Sequence, residues 1–242
     1  MLLTIDVGNT NINFGIFQDD KLTKRFYIPT KAYALAKLKN SLKGAKVNEA
    51  VICSVVPSVT RVLEGDLKKL LGRRPYIIGK DLPVPIKNLY RKPKEVGQDR
   101  LVDAYAGAML YGAPLIVIDF GTAVTFDVVS RNKEYLGGMI LPGLEISLDA
   151  LNERTALLPR IKLEKPRELI GGDTRNSILS GVVYGFASLT DDLVTRIKEK
   201  IGRRARVIGT GGNIDLIAKY CRRIDKVNIN LTLEGLKLIA EI

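Results

Sequence analysis

Apolar and polar positions alternate through Leu3, Ile5 and Val7, and again through Ile12, Phe14 and Ile16, with Gly8-Asn9-Thr10 between the two runs. A period of two marks a half-buried strand, and turn-forming residues between two such runs predict a hairpin. A third strand is predicted near 22–28. The period then lengthens: Leu35, Leu38 and Leu42 share one face of a helix predicted from about Thr30 to Leu42. The apolar run "EAVICSVV" (49–56) predicts a buried strand, followed by a helix that ends at Gly72. Segment 80–96, with Pro83, Pro85 and Pro93, predicts an irregular crossing loop, and "GQDRLVDAYAGAML" a helix.

The second half repeats the first. "LTIDVGNTNINFGIF" (3–17) has its counterpart in "IVIDFGTAVTFDVV" (116–129): an apolar lead, an aspartate, a glycine turn bearing a hydroxyl, and resumed alternation. Strands are predicted near 115–119, 124–130 and 134–141. A long helix from about Thr174 to Ile201, a strand at 205–210, and helices from about Ile214 and near 232–240 follow. Gly181 and Gly185 inside the long helix cost helix propensity, which predicts close packing there. The repeat predicts an α/β protein of two duplicated mixed lobes, 1–112 and 113–242, with a cleft between them.

The two hairpins carry candidate chemistry. A tight turn after a strand offers backbone N–H groups that suit phosphate oxygens. Gly8 lets the backbone come close, and Asn9 and Thr10 add side-chain donors. The carboxylate of Asp6 repels phosphate unless a cation such as Mg²⁺ sits between them. One such segment reads as an ordinary turn; two copies, opening two similar halves, read as paired clasps for a polyphosphate. "VIGTGGN" (207–213) adds a glycine turn that admits a nucleobase or ribose, or serves as a plain strand-to-helix connection.

Composition narrows the choice. The 242 residues carry a net charge of +12 and no histidine. That excludes Ser-His-Asp and Cys-His machinery and histidine-ligated zinc, leaving proton transfer to Asp, Glu, Lys or Tyr. Cys53 and Cys221, far apart, read as reduced thiols. The clusters at 72–74, 202–206 and 221–223 lack interleaved aromatics and read first as solvated surface and second as attraction for an anionic substrate, with no nucleic-acid partner. No apolar run approaches the ~18 residues of a membrane helix, and "MLLTIDVGN" lacks a basic leader, so no membrane partner and a cytoplasmic location are expected.

"DVGNT", "DFGTA" and "GTGGN" resemble the phosphate-1, phosphate-2 and adenosine elements of the ATPases shared by sugar kinases, Hsp70 and actin. The ordered set "DVGNTNI", "YRKPKEVGQDR", "DFGTAVTFD", "GGMILPG", "GGDTRNSILSG", "TGGN" and "LTLEGL" resembles, more narrowly, the type III pantothenate kinases. The resemblance implies two RNase H-like (actin-like ATPase) lobes, each a mixed sheet flanked by helices, with a nucleotide cleft between them. It implies ATP-dependent phosphorylation of pantothenate to 4′-phosphopantothenate, the first step of coenzyme A synthesis, by a homodimer.

By motif, Asp6, Val7, Gly8, Asn9, Thr10, Asn11, Ile12 and Asn13 then bind ATP phosphates, with Asp6 near Mg²⁺ through water, and Thr122 contacts ATP from the second clasp. Asp119 is the ligand for a monovalent cation, K⁺ or NH₄⁺. Asp99 is the general base, and Tyr90, Gly97, Gln98, Asp99, Arg100 and Thr174 line the pantothenate site. The chain has Arg91-Lys92 where the family often has Asp-Asn, and Gly172-Asp173 where it commonly has Lys-Asn or similar. Symmetry with Asp6 alone assigns Asp119 to Mg²⁺ instead, and "QDR" alone reads equally as a surface ion pair at a helix start. Asp103, one helical turn beyond Asp99, is placed to support the site, whereas Asp127 is expected on the sheet surface. A kinase of another small alcohol, or a non-catalytic regulatory relative, are the alternative functions.

Overall fold

The computed structural model describes residues 1–242. In it β1 (Leu2–Val7), β2 (Asn11–Gln18) and β3 (Lys21–Pro29) form an antiparallel meander, with Asp6 opposite Asn13 and Val7 opposite Ile12. The helix expected from Thr30 is broken. A single 3-10 turn, Thr30–Ala32, gives way to extended backbone at Tyr33 and Ala34 before α1 (Leu35–Leu42). The cause is local: the Thr30 amide and hydroxyl are bonded back to the Gly8–Thr10 turn, which holds Thr30 away from a continuous helix.

β4 (Glu49–Ser54) runs parallel to β1 with Cys53 beside Asp6. α2 (Pro57–Leu71) starts with proline at its first turn and ends on Gly72 at φ +72°, a left-handed cap that glycine adopts without strain. β5 (Tyr76–Ile77) and β6 (Lys87–Asn88) precede α3 (Gln98–Tyr111). The pattern repeats in β7 (Leu115–Phe120), β8 (Ala123–Val129), β9 (Glu134–Pro142), α4 (Leu144–Arg154), α5 (Thr174–Ile201), β10 (Arg206–Thr210), α6 (Ile214–Ile217), β11 (Lys226–Val227) and α7 (Leu231–Ala240).

The duplication is visible in the strand orders. The first sheet runs β3-β2-β1-β4-β5, and the second β9-β8-β7-β10-β11 with β6 added outside β9. In each, a three-stranded meander is extended by parallel strands on the side of its first strand. Each meander also shifts register late in its second strand, at Ile16/Phe17 and at Val128/Val129.

Alternation along β4 divides the first core. Ala50 and Ile52 pack with Leu38, Leu63 and Leu67 of α1 and α2, while Val51 and Cys53 pack with Val102 of α3 and Leu236 and Ile239 of α7. Burying each such leucine contributes roughly 1.5–3 kcal/mol. In the second unit Ile116, Ile118 and Phe120 meet Leu144, Val183, Val194 and Ile214.

By contacts the chain divides into Met1–Lys87, Arg91–Ala106 and Asn230–Ile242 on one hand, and Asn88–Tyr90 and Gly107–Ile229 on the other. This differs from a single cut at 112/113. α7 returns to the first unit because its apolar face packs on α3, with Gly235 against Val102 and Ala106. Gly181 and Gly185 do not mark close packing: no atom lies within 4 Å of where a Cβ would stand. No helix is long and apolar enough to cross a membrane.

Candidate active site

The hairpin Gly8–Asn11 joins β1 to β2. The Gly8 amide donates to the Asn11 carbonyl at 3.0 Å, and a Cβ on Gly8 would stand 3.1 Å from that oxygen, a closer approach than most side chains make. Asn9 and Thr10 are exposed at its tip. Behind the turn lies Asp6, whose Oδ2 accepts from Asn13 Nδ2 at 3.2 Å across the strand pair.

α3 brings a second carboxylate to Asp6. Asp99 lies in its first turn, and its Oδ1 accepts from the Arg100 amide at 2.9 Å. That oxygen folds back over Gly97, where a side chain would collide with it. Gln98 in turn rests on bare backbone at Gly79, which has φ +80°. Arg100 and Asp103 are both buried, so "QDR" is not a surface ion pair.

The electrostatics follow from this enclosure. Burial first, and then the charge of Asp99, push the Asp6 carboxyl up to about 6, against a lowering by Asn13. Burial likewise raises Asp99, opposed by the amide and guanidinium of Arg100. The fully buried Cys53 thiol is driven up by burial and then by Asp6, Asp99 and Asp103, so three carboxylates converge around the ends of β1 and β4. Such convergence of negative charge suits a cation and keeps a carboxylate basic enough to accept a proton.

Tyr90, Asp119, Thr122 and Thr174 belong to the second unit. Asp119 is the penultimate residue of β7, and the glycine turns at Gly121 and Gly211 close on its carboxylate. Gly143 donates its amide to the Thr122 carbonyl at 3.1 Å, and Asn213 donates to the Phe120 carbonyl at 3.0 Å. A Cβ on Gly211, at φ +96°, would enter the Asp119 carboxylate, and one on Gly121 would touch it. Thr122 is exposed at the tip of its turn. A carboxylate held at such glycine turns is an oxygen ligand of the kind a hard cation takes.

Tyr90 follows β6. Its ring lies 6.4 Å from that of Tyr135 and stacks over Gly137, which has φ +120°. Thr174 is the exposed first residue of α5. Before it, Asp173 caps the helix, accepting from the Asn176 amide at 2.8 Å, so the acidic residue at 173 has a structural cause.

Asp127 is not on the sheet surface. It is 1% exposed, accepting from the Tyr135 hydroxyl at 2.8 Å and the Thr125 hydroxyl at 3.0 Å. Both cysteines are free, Cys53 buried and Cys221 partly so. Thr30, which braces the first hairpin, is marked in the sequence only as a hydroxyl residue directly after the proline that ends β3.

The family model for type III pantothenate kinase matches residues 2–196. A type III pantothenate kinase from Finegoldia magna is 42% identical over 255 residues, covering 100% of this chain and 97% of that protein. One from Moorella thermoacetica is 41% identical over 251 residues, covering 100% and 99%. Among solved structures, one described as a Baf family transcriptional activator from Campylobacter jejuni has a TM-score of 0.58 at 20% identity, covering 99% of this chain and 97% of that one. The last likeness speaks for the fold alone, which is that of the duplicated actin-like ATPases. The motifs, the paired hairpins and the full-length relatives agree, and the chain belongs to the type III pantothenate kinase family.

Proposed function

We propose that this chain transfers the γ-phosphoryl group of ATP to the hydroxyl of pantothenate, giving 4′-phosphopantothenate for coenzyme A synthesis. The observation that carries the mechanism is Asp99, held at the start of α3 beside Asp6, with its carboxyl raised by burial. Phosphoryl transfer passes through a loose transition state, so the base need only orient the hydroxyl and accept its proton late. A raised carboxyl does this better than an ordinary one. Gly97 supports the role by leaving room for the Asp99 carboxylate.

In this reading the segment Asp6–Asn13 grips the ATP phosphates, and Thr122 contacts ATP from the second hairpin. A kinase of this family uses ATP with a divalent metal; Asp6 would hold it, and its negative neighbours favour a cation there. When bound, Mg²⁺ supplies charge neutralisation on the phosphates. Asp119, between the Gly121 and Gly211 turns, would hold the monovalent cation. Arg100 offers a guanidinium fork for the pantothenate carboxylate, and Tyr90, Gln98 and Thr174 complete the pocket.

The same reading includes a homodimer in the cytoplasm, where ATP is supplied. An apolar groove of about 520 Å³, walled by Ile178, Val182, Phe186 and Leu189 around Gly181 and Gly185, offers a surface for self-association. Light scattering after gel filtration checks the state. The deciding assay is ADP release from ATP and Mg²⁺ with and without pantothenate, alongside Asp99→Asn. Turnover that requires pantothenate and falls 10²–10⁴-fold in the variant is expected. ADP release indifferent to pantothenate would overturn the substrate, and an unimpaired variant would overturn the base.

A further inference from the structure

At the opposite end of the second sheet from Asp119, a cavity of about 630 Å³ opens where the chain leaves α5 for β10. Five cations line it, Lys198, Arg203, Arg204, Arg206 and Lys226, against one carboxylate, Asp225. They come from the last turn of α5, the turn beyond it, β10 and β11. A helix dipole draws cations to its own C-terminal turn, which does not account for Arg206 or Lys226.

Asp225 is already engaged. Its Oδ2 accepts from the Val207 amide at 2.8 Å and lies 3.5 Å from Lys198 Nζ. Arg203, Arg204, Arg206 and Lys226 stand in no ion pair around the same concavity. Like charges gathered in this way repel one another and focus a positive potential that an anion relieves. Three of the five are guanidinium groups, whose planar forks match phosphate oxygens in pairs.

The cavity is separate from the Asp119 turns. β10 runs from Arg206, opposite Leu115, to Thr210, opposite Asp119; four residues of strand span about 13 Å. Its floor is apolar, with Ala205 and Ile208 buried. Tyr111 forms a wall, and its hydroxyl accepts from Asn228 Nδ2 at 2.9 Å, which holds the ring in place.

We propose that this cavity is a second anion site, which binds a small polyphosphate, either free or carried on a nucleoside. The segment 202–206 is then a ligand site, the second of the two readings its composition allows. The concavity favours a compact anion over duplex DNA, whose affinity comes from many contacts along an extended backbone. The inference does not rest on the kinase reading.

The test is calorimetric titration of inorganic tripolyphosphate into the wild-type protein and Arg203→Gln/Arg204→Gln/Lys226→Gln. Binding elsewhere is common to both, so the difference isolates the cavity. One equivalent is expected in the wild type that is weakened at least tenfold in the variant and by added salt. Pantothenate-dependent ADP release by the variant stays within twofold, since none of the three residues belongs to the proposed active site. Repeating the titration with ATP and Tyr111→Leu separates the two sources: a loss for ATP but not for tripolyphosphate marks a nucleotide, and no loss for either marks the free anion. Identical titrations of wild type and triple variant would overturn the proposal. So would a 20-base-pair DNA duplex that binds through the same residues more tightly than tripolyphosphate does.

Discussion

The Thr30 hydroxyl donates to the Gly8 carbonyl at 2.7 Å, and the Thr30 amide donates to the Thr10 carbonyl at 2.9 Å. One residue at the end of β3 therefore braces both sides of the Asp6 hairpin. A carbonyl engaged in this way cannot swing toward a phosphate, which it would repel. Thr30→Val keeps the shape and loses one bond, worth about 1 kcal/mol. The KM for ATP is expected to rise roughly fivefold, with a smaller change in kcat, and Thr30→Ser to restore it. Steady-state kinetics at saturating pantothenate would show this. A variant that only melts earlier, with KM unmoved, would reduce Thr30 to a structural role.

The proposed role of Asp6 sets function against stability. Its carboxyl titrates near 6 in the folded chain against 3.8 ordinarily. Between those values the folded state holds more proton than the unfolded one, so stability falls as pH rises through the window. The penalty is absent below about pH 4 and complete above about pH 6. Asp6→Asn should therefore stabilise the ligand-free protein by about 1–3 kcal/mol at pH 8 and by nothing at pH 4, while abolishing ADP release. Urea denaturation at pH 4, 6 and 8 gives the profile. A stability change independent of pH would refute the link between burial and the raised carboxyl.

Gly211 separates the proposed cation site from general damage. A side chain there meets the Asp119 carboxylate and the Phe120 backbone, and the residue sits at φ +96°, whereas nothing lies within 4 Å of a Cβ at Gly212. Gly211→Ala should cost about 1–3 kcal/mol of stability and move the K⁺ activation curve at least tenfold. Gly212→Ala should do neither. Activity titrated with KCl in a Na⁺ background is the readout. If Gly211→Ala follows the wild-type curve, Asp119 is not the cation ligand.

Legibility from sequence tracked the range of the forces at work. The Asp6 and Asp119 hairpins were visible because period-two alternation and turn chemistry are local, and the 28 residues of α5 because a helical period over that length has no rival reading. Two-residue strands such as Tyr76–Ile77 and Lys226–Val227 carry no period at all; pairing with a longer neighbour makes them strands. The interruption of the helix beyond Thr30 depends on contacts with Gly8 and Thr10, far earlier in the chain. Asp127 misled for the same reason: alternation placed it on one face of β8, and only Tyr135 on the next strand shows that this face is covered. Within the candidate site, Asp99 could be named from its motif, but its closeness to Asp6 arises where β1, β4 and α3 meet.

Tyr135 and Asp127 form a buried hydrogen-bonded pair. Tyr135 is fully buried, and its hydroxyl is one of the donors holding the Asp127 carboxylate inside the second sheet. Tyr135→Phe removes the donor and keeps the ring, so a buried carboxylate loses hydrogen-bonding without any loss of packing. The expected cost is about 1–3 kcal/mol, since an under-satisfied buried acceptor forfeits its solvation. Thr125→Val should cost less, because Thr125 is partly open to water, which can replace its bond to Oδ2. The ring that Tyr90 rests against survives in Tyr135→Phe, so the KM for pantothenate should stay within about twofold while the urea midpoint drops. An unchanged midpoint would mean that the Tyr135 hydroxyl does not help to hold Asp127, and a large rise in KM would mean that the hydroxyl, rather than the ring, sets the position of Tyr90.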